Sequence, residues 1–205
     1  KLLINFNIMK IGITIDGVLR NLLKKCIITH KKYYQSEIDI KEITDYDLDK
    51  YFEFENEESL DKFLYEDCSL EIFGYSDEIE DHVISKLNEF ITRNLENHEV
   101  VLLTRECGRA IPATLFFLSK TGSMCRNIKF IRSYDEMWDE CDLLLTSFPH
   151  FIENKPDNKT LIKVERNYNK DMSSDYQIKS AGEFLEEGYL EKIISTKKVE
   201  YKELN

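Results

Sequence analysis

Thr14, Asp16, Thr104, Arg105, Thr146 and Ser147 are the side chains whose types and spacing best suit them to chemistry. Asp16 follows a short apolar run and precedes Gly17. A carboxylate there can move a proton or hold a ligand; the plainer reading is a turn whose Asp and Gly shape the exit from a strand. Thr104-Arg105 closes the run Val100-Val-Leu-Leu103. A hydroxyl, backbone N–H groups and a guanidinium together make an anion site; the plainer reading is an ordinary strand-end loop. Thr146-Ser147 closes Asp142-Leu-Leu-Leu145 and supplies hydroxyls only, which reads as structural.

Other chemistry-bearing residues give weaker signals. His30, His82, His98 and His150 are scattered, without the close pairing of a zinc site. His150, beside Pro149, reads as a solvated or packed loop histidine. Five widely spaced cysteines with no C-x-x-C pattern suit unpaired thiols in a reducing compartment. Cys107 and Cys125 are expected in the core or at its margin, and Trp138 is expected to pack beneath a loop.

The 205 residues are enough for one domain, or one core with a small inserted subdomain. A 42% apolar content is that of a globular chain, and no run approaches the roughly 20 apolar residues of a membrane span. A net charge of −11 repels phosphate backbones, which argues against duplex nucleic acid as a partner. Small nucleotides need only a local positive pocket, so charge does not exclude them. Asn5 and Asn7 interrupt the apolar patch of residues 1–10, and no small-residue cleavage site follows. Met9-Lys-Ile-Gly12 reads as a natural start, with residues 1–8 as an upstream extension.

The elements that must position these residues follow from periodicity. Residues 10–15 predict a buried strand, and 18–34 a helix with Leu19, Leu22, Leu23, Cys26 and Ile27 at helical spacing. Residues 35–73 are acidic and aromatic and predict a small helical insert, with Ser59 as a cap. Its Tyr46, Tyr51, Phe52, Phe54, Phe63 and Tyr65 are expected to pack on each other; the alternative is a partner-binding surface. A second amphipathic helix is predicted over 76–94, a strand over 99–104, and a helix over 109–120 with Pro112 early and Gly122 at its stop. Strands are predicted at 127–131, 142–145 and 160–164. Ser180-Ala-Gly-Glu183 is a capping box opening a last helix to about residue 194, and the final eleven residues are expected to fray. Such alternation argues for an α/β fold with a central parallel sheet covered on both faces. Ligands then sit at the carboxyl ends of the strands, where Thr14–Asp16, Thr104-Arg105 and Thr146-Ser147 all fall.

Ile13-Thr-Ile-Asp-Gly-Val-Leu-Arg-Asn21 resembles the first motif of the haloacid dehalogenase (HAD) phosphatases. Val100-Val-Leu-Leu-Thr-Arg-Glu106 resembles the second, and Asp142-Leu-Leu-Leu-Thr-Ser-Phe-Pro149 the fourth. From residue 9 to about 194 the chain is similar to the small 5′(3′)-deoxyribonucleotidase-like branch, including versions carried by bacteriophages. The resemblance implies a Rossmannoid three-layer sandwich with a small helical cap. It implies a discontinuous core of residues 9–18 and 74–195, a cap of 19–73 and a polar tail of 196–205.

The family's chemistry is phosphoryl transfer through an aspartyl phosphate. A first Asp attacks phosphorus and a second, two residues on, protonates the leaving oxygen. A hydroxyl and a Lys hold the phosphate, and Mg²⁺ is bound by the first Asp and a fourth-motif Asp. On this chain the resemblance carries Asp16 to the acid/base position and Thr104, with Arg105 beside it, to the phosphate site. Thr14 stands where the nucleophile belongs, and Thr146 and Ser147 stand at the fourth-motif carboxylates. Glu136 or Met137 falls where the family places its Lys, with Lys129 and Arg132 earlier. The expectation is therefore a nucleotidase-like protein without phosphatase activity and without a cofactor, acting as a binding, structural or assembly component. A nucleotide or other phosphate compound, a protein partner, and a second copy of the chain are the open partners. The location implied is the cytoplasm, or the host cytoplasm or virion if the chain is phage-encoded. The alternative is a working or altered-mechanism nucleotidase that hydrolyses (deoxy)nucleoside monophosphates and uses Mg²⁺.

Overall fold

Valine-, isoleucine- and leucine-rich runs whose last four residues are buried build the centre of the molecule. The computed structural model describes residues 8–52 and 54–203, and for 197–203 the backbone alone. Six strands form one sheet: β1 (Met9–Thr14), β2 (His98–Thr104), β3 (Ile128–Phe130), β4 (Leu143–Thr146), β5 (Thr160–Val164) and β6 (Tyr176–Ile178). Every pairing is parallel and the order is β3-β2-β1-β4-β5-β6. The protein is an α/β, Rossmann-like three-layer fold.

Side-chain alternation along the strands feeds two cores. Ile11, Ile13, Leu102, Leu143, Leu145, Ile162 and Val164 point to one face. They pack there with α3 (Val83–Asn94), the Phe117-Leu118 end of α4 (Ala110–Lys120), α7 (Ala181–Leu185) and the start of α8 (Tyr189–Glu203). Val101, Leu103, Leu144 and Leu161 point to the other face. Met137 and Trp138 of α5 (Tyr134–Asp139) cover them, with Phe151 and Ile152 of α6 (Pro149–Glu153). A third cluster joins α1 (Leu22–Tyr34) and α2 (Glu57–Lys62) to the early part of α4 through Cys26, Phe52, Phe63, Phe73 and Ala113. Phe52 and Phe63 of the aromatic insert are buried, and Tyr46, Tyr51, Phe54 and Tyr65 are half-buried against their neighbours. The insert therefore packs largely on itself.

Several predicted boundaries move, each for a local reason. The first helix starts at Leu22, not 18, because the preceding backbone is used elsewhere. Leu19 and Arg20 N–H groups both donate to the Ile15 carbonyl, and Asn21 N–H and Leu19 C=O bond to Asp77 and Ile79. The same pairing delays the next helix to Val83. Asn56, not Ser59, caps α2: its side-chain oxygen accepts the Ser59 N–H at 2.9 Å. Beyond α2 the chain makes two π-helical turns, Phe63–Asp67 and Leu70–Gly74. The predicted last helix divides after Leu185, where Gly188 takes a left-handed φ of 84°, and resumes as α8. The backbone of α8 runs on to Glu203 where fraying was expected; residues 204–205, and residues 1–7 of the expected extension, lie outside the described residues. Helices α5 and α6 and strand β6 were not anticipated. Cys107 is exposed rather than in the core, while Cys125 is half-buried and Trp138 is buried in α5. Among the described residues no helix is long and apolar enough to cross a membrane.

Candidate functional site

The strand order reverses between β1 and β4, the place where a parallel sheet opens a crevice at its carboxyl edge. Thr14 and Thr146 end those two strands and are buried. Thr14 Oγ1 donates to Thr146 Oγ1 at 3.1 Å, with the Leu145 carbonyl 3.4 Å away. Thr146 Oγ1 also accepts the Phe148 N–H at 3.1 Å. Ser147 Oγ lies 3.0 Å from the Tyr168 hydroxyl, and its carbonyl accepts from Asn169 Nδ2 at 2.7 Å. This half of the edge is a chain of neutral hydroxyls satisfied by one another.

Gly17 lets the loop after β1 lie against that edge. Its φ is +73°, and a Cβ there would fall 2.1 Å from Ser147 Oγ and 2.8 Å from the Tyr168 hydroxyl. Only glycine fits such a conformation in such a space. Arg166 Nε holds the Gly17 carbonyl at 3.1 Å from beyond β5. The fully buried Lys163 of β5 ties the loop after β5, which carries Arg166, by donating to the carbonyls of Asn169, Lys170 and Met172.

On the other side of β1 the edge is charged. Arg20 is completely buried, and every arm of its guanidinium is used. Nε donates to Asp16 Oδ1 at 2.7 Å; Nη1 donates to Thr114 Oγ1 at 2.7 Å and to the Phe73 carbonyl at 3.1 Å; Nη2 donates to Glu106 Oε1. The Thr104 hydroxyl donates to the other oxygen of Glu106. Burial works against the charge on Arg20, but Asp16 and Glu106 outweigh it and hold the guanidinium protonated above its ordinary range. Glu106 is pushed up to about 7, first by burial and then by the nearby Asp16 carboxylate, against the pull of Arg20 and Thr104. One buried cation between two carboxyl groups leaves room for a proton near neutrality, and burial favours placing it on Glu106.

Asp16, Thr14, Thr104, Arg105 and Glu106 share one cavity of about 160 Å³ with Tyr46, Tyr65, Phe148 and Phe151. The structure thus brings four of the sequence-predicted residues to one cavity. Thr146 supports it from below through Thr14, and Ser147 faces Tyr168 instead. Thr104 and Arg105 take different partners: the hydroxyl goes to Glu106, and the exposed guanidinium lies 3.7 Å over the Tyr134 ring. His150 is 3.6 Å from that ring, centroid to centroid. Sequence reasoning missed Arg20 and Glu106. The available signals were the four-residue spacing from Asp16 to Arg20 across a turn, and an acid two residues beyond Thr104.

The Mg²⁺ that the resemblance associates with phosphatase chemistry does not fit these residues. Thr14, Thr146 and Ser147 provide neutral oxygens, and the carboxylate of Asp16 is taken by Arg20. Hard divalent cations need carboxylate oxygens. Among the described residues no three His, Cys, Asp or Glu side chains group in a way that could hold a metal. No family model matches this chain, and no curated protein matches it either.

Proposed function

We propose that this chain is a binding protein on a HAD-like scaffold, without phosphatase chemistry. The observation that carries the reading is Thr14. It stands where the resemblance expects a nucleophilic carboxylate, and its hydroxyl is 3.1 Å from Thr146, which stands where a metal-binding carboxylate is expected. A threonine hydroxyl is far less acidic than a carboxyl group, and a phosphothreonine does not turn over as an acyl phosphate does. Losing a nucleophile alone removes several powers of ten in rate. Asp16 keeps the acid/base position of the motif, but its ion pair with Arg20 makes it an anchor for the guanidinium rather than a free acid.

The cavity beside these residues is where a small ligand would be held. A protein partner or a second copy of the chain would extend the same non-catalytic role to assembly, in the phage setting that the resemblance brings with it. Five free cysteines suit a reducing compartment, in keeping with a cytoplasmic location. The test is phosphate release from a panel of deoxynucleoside monophosphates with and without Mg²⁺. The reading expects none above background. Turnover that depends on Mg²⁺ and disappears in Asp16→Asn would establish the nucleotidase alternative instead.

A further inference from the structure

We propose that the cavity over Asp16 and Glu106 binds a small amine built on a single ring, and not a phosphate ester. The inference rests on the binding-protein reading above and adds to it the chemical class of the ligand.

Size comes first. A cavity of about 150 Å³ lined by apolar side chains takes up benzene, and this one measures about 160 Å³. Pockets for drug-sized ligands start at about 300 Å³, so a nucleotide exceeds the space while one ring fills it. The walls suit a ring: Tyr46, Tyr65, Phe148 and Phe151 line the cavity with Leu48 and Leu64. Tyr65 and Leu64 belong to a π-helical turn, a distortion that tends to occur at functional sites.

Charge decides the head group. The titratable or charged groups lining the cavity are Asp16, Glu106, Arg105, Cys26, Tyr46 and Tyr65. Burial raises Cys26, Tyr46 and Tyr65 and keeps them neutral. Arg105 is exposed and stacked on Tyr134 at the rim, where solvent screens it. Arg20 does not line the cavity; it sits behind the two carboxyl groups with all its arms engaged. An entering ligand therefore meets two carboxyl groups that share one buried cation, and that cation lies outside the cavity lining. A phosphate dianion finds no buried cation free to pair with it. An ammonium group can replace the proton on Glu106 and complete a set of two cations and two anions, with the aromatic walls adding cation–π attraction.

The experiment uses one ring with three heads: benzylamine, benzyl alcohol and benzyl phosphate, titrated into isotope-labelled protein and followed by amide chemical shifts. Benzylamine is expected to saturate, at least tenfold tighter than the alcohol, with shifts centred on residues 14–16, 64–65 and 103–106. Benzyl phosphate is expected not to saturate. Asp16→Asn should reduce the preference for the amine over the alcohol at least tenfold. Should that variant not fold, a pH series on the unaltered protein gives the same answer. Amine affinity should rise several-fold from pH 6 to 8 as the Glu106 proton is given up, while the alcohol stays flat. Equal or tighter binding of the alcohol or the phosphate, amine shifts that map elsewhere, or saturation by none of the three overturns the proposal. Mg²⁺-dependent phosphate release from benzyl phosphate in the same samples would instead sink the non-hydrolytic reading, and it is scored separately from the titration.

Discussion

Between β1 and β4 the edge of the sheet ends in hydroxyls; between β1 and β2 it ends in charges. Thr14, Thr146, Ser147 and Tyr168 pair as neutral donors and acceptors, and each stays satisfied without a counter-ion or a proton from outside. Asp16, Arg20 and Glu106 are one cation between two acids, all within one network that also holds Thr104, Thr114 and the Phe73 carbonyl. The contrast separates two properties that a strand-end site usually combines. The neutral half fixes geometry and is indifferent to pH. The charged half joins the sheet to the helical insert through Phe73, and its charge balance is incomplete.

The contrast breaks most severely at Arg20. Arg20→Met keeps much of the side-chain volume but strands two acids beneath the insert. Removing one partner of a buried ion pair typically costs about 3–5 kcal/mol, and loss of that order is expected in urea unfolding. Neutralising the acids in the same chain, Asp16→Asn with Glu106→Gln, should restore part of it, because the loss comes mainly from uncompensated charge. If Arg20→Met alone is tolerated within about 1 kcal/mol, well under that buried-pair range, the network is not what ties the insert to the core.

Glu106 supplies the next largest effect and a sign. Its carboxyl is raised from 4.5 to about 7 in the folded protein, so between those values the native state holds a proton that the unfolded chain has released. Its contribution is then complete below pH 4.5 and is lost as pH rises through 7. At about 1.4 kcal/mol for each tenfold gain in proton affinity, the total is on the order of 3 kcal/mol. Wild type compared with Glu106→Gln across pH 4.5 to 8 should show wild-type stability falling relative to the variant. A difference that stays flat, or that grows in favour of wild type as pH rises, shows that Glu106 is ionised throughout.

How much of this was legible depended on the range of the interactions. Apolar runs such as Val100-Val-Leu-Leu103 declared strands, and their alternation with amphipathic segments declared a parallel sheet, because those patterns are local and set by burial on both faces. Thr14, Asp16, Thr104 and Arg105 were legible as strand-end residues, and they do line one cavity. Arg20 was hidden because its helical spacing placed it on a predicted helix. Residues 19–21 instead pair with 77–79, a long-range choice that no local pattern announces. Glu106 read as a loop acid, since nothing near it in sequence shows that Arg20 and Thr104 enclose it. Helix α5 left a usable signal: Ser133-x-x-Glu136 is a capping box, and both arms are made. Strand β6, three residues with a polar centre, left none.

The contrast sharpens if the neutral half is made charged. Thr14→Asp with Thr146→Asp sets two carboxylates where hydroxyls now lie 3.1 Å apart. Without a cation they repel in a buried place, and a loss of at least about 1–3 kcal/mol is expected, the range for a neutral buried group left unsatisfied and a floor for charged ones. Millimolar Mg²⁺ should restore the double variant and leave the wild-type melting temperature unmoved, since only the variant offers carboxylate oxygen between β1 and β4, and the wild-type Asp16 is paired with Arg20. Stabilisation of wild type by Mg²⁺ to the same extent would mean that hydroxyls suffice, and would count against the binding-protein reading.

The smallest effect tests whether the hydroxyl half is as self-sufficient as it looks. Thr14→Val removes one donor and preserves shape. Thr146 Oγ1 still accepts the Phe148 N–H, so no buried backbone donor is orphaned. The loss should be near the value of one neutral hydrogen bond, about 1 kcal/mol. Thr146→Val is different, because the Phe148 N–H then loses its acceptor and the cost moves toward that of an unsatisfied buried group, about 1–3 kcal/mol. In the double variant the Thr14–Thr146 bond is already gone, so the two losses should overlap by roughly the strength of that bond, about 0.5–1.5 kcal/mol. Neither single variant should alter the pH slope assigned to Glu106. If Thr14→Val does flatten that slope, the two halves of the edge exchange protons across β1, and the separation between them fails.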